Sequence, residues 1–183
     1  MLTADELGAY FDTKLTRSAF RLETLDHYEV ESDGGDFARH KAGEPEPDWE
    51  RKNAWLEVLR AEEKAGIREY RVHVLRTPLN DYLRYECEWG YLFNIEAGEE
   101  VFILDLAERE LPTEVVDHDF WLIDDEHPLR MHYGEAGEFI GAELVPDSLD
   151  RYRKARDAAL AAAEPFEQWW ARHPEEWRAN RSV

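Results

Sequence analysis

The chain has 183 residues, a net charge of -20 and 43% hydrophobic residues, including 7 Trp, 8 Tyr and 8 Phe. That aromatic content excludes a disordered acidic chain, and the length corresponds to a single domain with a real core. The charge argues against partners that present phosphate, since nucleic-acid and anionic-membrane binding draw their affinity from Lys and Arg, whereas a basic protein partner is compatible with it.

The acidity is uneven. Between Glu86 and Glu126 there are 14 Asp and Glu against the single base Arg109. Cys87 is the only cysteine, so no intramolecular disulfide can form. No apolar run approaches the roughly 20 residues of a membrane span, and the acidic start MLTADELGAYFDTK lacks the pattern of a signal peptide. A cytoplasmic protein is expected.

In chain order, Ala19 to Leu25 (AFRLETL) spaces its apolar residues in a way that fits a strand or a short helix. Glu31 to Pro47, with Gly34-Gly35, Pro45 and Pro47, is the one loop-like break and closes a small amino-terminal subregion, residues 1–47. Residues 48–183 then carry the sheet and its helices. Trp49 to Ala65 reads as a helix with Trp55, Leu56 and Leu59 on one face and Gly66 as its stop.

Tyr70 to Leu75 is a strand with Arg71, His73 and Leu75 on one side. Thr77-Pro78 suggests a helix start, Thr as cap and Pro at the first position, running to before Gly98. Strands follow at Val101 to Leu106, Phe120 to Asp124, Leu129 to Tyr133 and Phe139 to Val145. The Phe120-Trp121-Leu122-Ile123 run, apolar on both faces, is expected at the sheet's interior. Pro146-Asp147-Ser148 opens a helix to about Ala163, and a last helical piece carries Trp169, Trp170 and Trp177, of which Trp170 and Trp177 could form a docking stripe. The expected fold is α/β (α+β): a mixed sheet of about five strands flanked by helices, with a small helical amino-terminal subregion.

The chemistry is limited by what is missing. Lys occurs only at 14, 41, 52, 64 and 154 and Ser only at 18, 32, 148 and 182, so the sheet region offers neither nucleophile. Phosphate-loop, dinucleotide, zinc-helix and paired-cysteine motifs are all missing, and no cofactor is implied. Cys87, between Glu86 and Glu88, reads as an inert packing residue.

The remaining candidate site is Asp117, His118 and Asp119 before the FWLI strand, Asp124 after it, and His132 and Tyr133 on the next strand. About six residues separate positions 118 and 124, roughly 20 Å at strand rise, so the two ends of that strand cannot share one ion. Carboxylates marking where a buried strand leaves the core, with Asp124 to Pro128 as an Asx-type turn, account for the same residues. Tyr82, Tyr85 and Trp89 could line a ligand pocket between their helix and the sheet, or simply build core.

The segments FRLETL (20–25), LNDYLRYE (79–86), DHDFWLID (117–124), MHY (131–133) and GAELV (141–145) resemble an uncharacterised actinobacterial family, number 6879 among the domains of unknown function. The likeness runs from about Phe11 to the carboxy-terminal helix. It implies a cytoplasmic protein often encoded beside helix-turn-helix regulators of the XRE type, and no reaction. The order of elements is also similar to one half of the phospholipase D architecture, but without its catalytic motif. With Asp125 as the final residue His118 stands first and Phe120 replaces the Lys; with Asp124 final, Asp117 and Asp119 occupy the two positions.

These observations favour a non-enzymatic regulatory or protein-binding domain acting with a DNA-binding regulator. A metal-dependent enzyme using Asp117, His118, Asp119 and His132 is one alternative, and a small-molecule sensor another. The oligomeric state is left open.

Overall fold

The computed structural model describes residues 1–29 and 35–180; residues 31–34 of the loop-like break, Gly34 among them, lie outside the described residues. Its centre is a seven-stranded mixed sheet in the order β6-β5-β4-β1-β2-β3-β7. The strands are β1 (Ser18–Glu23), β2 (Arg68–Leu75), β3 (Glu100–Asp105), β4 (Phe120–Ile123), β5 (His127–Tyr133), β6 (Phe139–Leu144) and β7 (Glu164–Pro165). β1, β2 and β3 are parallel and the other pairings antiparallel. The strand count exceeds the five expected. β1, ambiguous in the sequence, is the middle strand, so residues 1–47 are not set apart from the sheet. β7 is two residues long and contains Pro165, which an edge position tolerates.

The helices are α1 (Ala4–Lys14), α2 (Asp36–Lys41), α3 (Trp49–Lys64), α4 (Asp81–Tyr85), a π-helical turn (Glu86–Tyr91), α5 (Leu92–Glu96), α6 (Leu149–Ala162) and α7 (Phe166–Arg172). α1 starts at a capping box in which Thr3 and Glu6 exchange hydrogen bonds, and α3 starts at Asp48, which accepts from the N–H of Glu50. α2 lies inside the stretch read from Glu31 to Pro47 as irregular; Gly35, at φ 93°, supplies its start.

Thr77 does not cap α4. Its hydroxyl and N–H go to Asp105, and the cap is Asn80, which accepts from Leu83 N–H at 2.8 Å. Leu56 and Leu59 are buried as expected of α3, but Trp55 is 42% exposed. One residue of helix turns a side chain by about 100°, which carries Trp55 off the face that Leu56 and Leu59 share.

Period-two alternation gives the sheet two faces of different character. Phe20, Leu22, Tyr70, Val72, Val74, Leu104, Phe120 and Leu122 share one face and pack on Tyr152, Ala155 and Ala159 of α6. On the opposite face, α1 covers Ile123, Leu129, Met131 and Ala142 at the β6 end. The π turn and α7 cover Leu75, Val101 and Ile103 at the β3 end, burying Phe166, Trp169 and Trp170. Trp170 stacks on Phe166 and its carbonyl accepts from Trp177 Nε1 at 3.0 Å, so Trp170, expected in a docking stripe, is buried in the core, with the half-buried Trp177 packed against the same cluster. Between the two apolar patches the face is polar, and both parallel crossovers, through α2–α3 and through α4–α5, run above it.

Gly137, at φ 87°, turns β5 into β6 where a Cβ would stand 2.4 Å from the carbonyl oxygen of His27. Among the described residues no helix is long and apolar enough to cross a membrane.

Candidate functional site

The polar strip is built from register. Parallel pairing sets Arg21 of β1 beside Arg71 of β2, and Glu23 beside His73. Two guanidinium groups side by side repel, and the strip is arranged to compensate. Glu23 Oε1 meets Arg21 at 2.9 Å and Glu23 Oε2 meets Arg71 at 2.9 Å. Arg71 also donates to Glu99 at 2.6 Å, Asn94 donates to the other Glu99 oxygen at 2.9 Å, and Lys52 of α3 donates to Asn94 Oδ1 at 3.1 Å. A continuous chain of charged hydrogen bonds thus joins the sheet to the helix above it. Burial by itself would raise the Glu23 carboxyl, but Arg21 and Arg71 outweigh it and hold the group well below the usual carboxylate range.

His73 is fully buried. Its Nε2 lies 3.0 Å from the Leu25 carbonyl, which can only accept, so Nε2 carries a proton. Its Nδ1 is 2.5 Å from the Tyr91 hydroxyl, which is also 3.2 Å from Glu23 and 3.4 Å from Glu86. The π turn makes this possible. Residues five apart on an α-helix point about 140° away from each other, whereas the wider π turn brings Glu86 and Tyr91 to the same side. Burial, then Glu23 and Glu86, push the Tyr91 phenol well above its ordinary value, so it stays a donor. Burial likewise raises Tyr28, and raises Tyr133 to about 12.

Above the strip lies a half-open cleft of about 590 Å³. Arg21, Glu23 and Arg71 form its floor, Tyr28, Tyr82 and Tyr85 one wall, and Lys52, Trp55 and Val58 of α3 stand on the other side. The volume is in the range of small-molecule sites, as is the combination of apolar walls with a few placed polar groups. Gly90 of the π turn also lines it, and a Cβ there would meet nothing nearer than Glu86 Cβ at 3.9 Å.

The candidates drawn from the sequence fall in several places. Tyr82 and Tyr85 line the cleft; Trp89 does not, packing instead on His40 and under Arg178. Asp119 is buried beside the cleft's aromatic wall, accepting from Thr24 N–H at 2.8 Å and Tyr28 OH at 2.6 Å. Tyr133 packs on Tyr28 and accepts from Arg21 at 3.3 Å. His118 is on the α6 side, between Asp117 and the Tyr152 hydroxyl, with burial the leading influence lowering its pKa. His132 pairs with Glu143 across β5 and β6 at 3.0 Å. Asp124 is at the far end of β4, accepting from the N–H groups of Thr16, Arg17 and Ser18. The structure therefore brings Asp119 and Tyr133 together and leaves His118, His132 and Asp124 apart from them.

Arg21, Glu23, Arg71, His73, Tyr91 and Glu99 escaped the sequence reading. The signal was present as charges alternating with apolar residues in FRLE and YRVHV. It acquires meaning only once β1 and β2 are known to be neighbours.

Among the described residues one other group has the make-up of a metal site, Asp105, Glu108 and His173. Its atoms are engaged internally. Asp105 accepts from Thr77 and Ala107, Glu108 is paired with Arg172, and His173 Nδ1 donates to the Trp169 carbonyl at 2.7 Å. It ties the end of β3 to α7. Cys87 is buried, its thiol pushed up by burial and by Glu86 and Glu88.

No curated protein matches the chain. A family model described as a domain of unknown function, DUF6879, matches residues 5–171, taking in nearly all of α1 and of α7, all seven strands and the cleft, and the chain belongs to that family.

Proposed function

We propose that this chain is a small-molecule-binding domain of sensor type, with its ligand in the cleft between the polar strip and α3. The observation that carries the reading is a cleft of about 590 Å³ above charged side chains already locked in place by one another. Such a floor is organised before binding, so little ordering cost falls on the ligand. The groups with reactive potential are the most enclosed, His73 at 0% and Tyr91 at 2% exposure, while Arg21 keeps 19% of its side-chain surface. That distribution suits recognition better than chemistry. The test is a thermal-shift screen of metabolites on the native chain and on Gly90→Leu, which fills the cleft. A stabilising compound that loses its effect in Gly90→Leu supports the reading. Absence of any stabilising compound, or stabilisation unchanged by Gly90→Leu, overturns it.

A second reading is contact with a basic protein partner such as a helix-turn-helix regulator. It is favoured by the acidic loop 106–119, which exposes Leu111 among Glu108, Glu110 and Glu114. Calorimetry with a basic helix-turn-helix regulator of the XRE type should give a stoichiometric complex at micromolar concentration, and silence there would remove the reading.

A further inference from the structure

The character of the cleft narrows the class of ligand, on the assumption that the cleft is a binding site as proposed above. In a chain of net charge -20, four cations, Arg21, Arg51, Lys52 and Arg71, line this one cleft against three carboxylates. Those carboxylates are engaged. Glu23 lies between Arg21 and Arg71, Asp36 accepts the Asp48 N–H at 2.9 Å, and Glu86 is within 3.4 Å of the Tyr91 hydroxyl. Arg71 is in turn saturated by Glu23 and Glu99.

Arg21 is not saturated. One of its terminal nitrogens serves both Glu23 and Tyr133, and its Nε–H, enclosed by protein, has no acceptor among the described residues. The side chain as a whole keeps 19% of its surface and lines the cleft, so an acceptor supplied there would meet a charged donor. The guanidinium is held in position by the rings of Tyr28 and Trp121, at 5.4 and 5.3 Å. Beside it Tyr28, Tyr82 and the flanking Phe37 form a set of edge and tilted ring contacts, with Tyr85 continuing the wall. A wall of rings set at such angles offers both faces and edges, to which another ring can pair offset or edge-on.

We infer that the cleft takes a small aromatic anion, its negative group on the Arg21 guanidinium and its ring against the Tyr28–Tyr82–Tyr85 wall.

A matched pair of probes tests this: 1-anilinonaphthalene-8-sulfonate, and N-phenyl-1-naphthylamine, which has the same rings without the charge. Both are titrated by calorimetry into the full chain. The sulfonate should bind with 1:1 stoichiometry at least about tenfold more tightly than the neutral amine, as a hydrogen bond to a charged group warrants. Arg21→Gln should erase that difference and Arg21→Lys should restore part of it. Should Arg21→Gln fail to fold, Lys52→Glu on the opposite wall replaces it, and should weaken the sulfonate while sparing the amine.

If the amine binds as tightly as the sulfonate and Gly90→Leu abolishes both, the cleft reading stands and the anion class is wrong. If neither probe binds, or both bind Gly90→Leu unchanged, both readings fall.

Discussion

Glu23→Gln is the most informative perturbation of the polar strip. The native carboxylate is 1% exposed and serves two guanidinium groups at 2.9 Å and the Tyr91 hydroxyl at 3.2 Å. The amide has nearly the same shape but no charge, and it would turn an N–H₂ toward one of the two arginines. Removing one partner of a buried ion pair costs about 3–5 kcal/mol, because the remaining charge is left uncompensated. Glu99 still neutralises Arg71, so the loss centres on Arg21 and should lie near the lower end, about 3 kcal/mol. For a chain of this length that corresponds to a fall in Tm of roughly 6–12 °C.

The pH dependence has a definite sign. The folded-state pKa of Glu23 lies below its unfolded value, so its contribution is complete above the ordinary value of about 4.3 and is lost as the pH falls through the depressed folded value. Urea unfolding at intervals from pH 7 down to pH 3 should show the native chain and Glu23→Gln well separated at neutral pH and converging in acid. A loss under about 1 kcal/mol at pH 7, or a gap that stays constant with pH, would refute the argument that this carboxylate neutralises the buried arginines.

Three further outcomes are expected. Asp124 is held below the ordinary carboxylate range because, against the penalty of burial, its oxygens accept from Thr16, Ser18 and Arg17; Asp124→Asn should cost about 2 kcal/mol in urea unfolding at pH 7, a gap that closes as acid protonates the native group. Glu69 is raised to about 9, by burial first and then by Glu62 and Glu99. Folding therefore retains a proton that the unfolded chain has released, and stability falls as pH rises from about 4.3 toward 9. Glu69→Gln should stabilise the chain at pH 8 by at least about 1.4 kcal/mol, the worth of one pKa unit, and do little at pH 4; destabilisation at pH 8 would show the native group to be ionised. Gly137→Ala meets both a positive φ and the His27 carbonyl, and should lower stability by roughly 2 kcal/mol, while Gly90→Leu should be tolerated with little change in Tm.

Much of the layered order could be read from local patterns. FWLI is apolar at every position, and β4 is an interior strand between β1 and β5. Leu56 and Leu59, three apart, mark the buried side of α3. Punctuation was harder to read, because Thr77 and Asn80 are both good caps and only contact with Asp105 takes Thr77 out of the competition. Within the candidate site, Tyr82 and Tyr85 could be proposed from composition and helical placement. Arg21, Glu23, Arg71 and His73 could not, since a charged residue alternating in a strand ordinarily faces water.

By itself the sequence determined the class of fold, the acidic surface and the alternation that separates an apolar sheet face from a polar one. These depend on each residue's own chemistry and its near neighbours along the chain. The sheet, expected to hold neither Ser nor Lys, does hold Ser18 at the start of β1, because that segment could not be told from a short helix. The tertiary structure alone decided that the polar face would be covered, because strand order and register are pairings between distant segments. Residues 21 and 71 become neighbours only when β1 and β2 align, and it is their enclosure beneath α3 and the π turn that makes three ordinary charges, Arg21, Glu23 and Arg71, into the floor of a cleft.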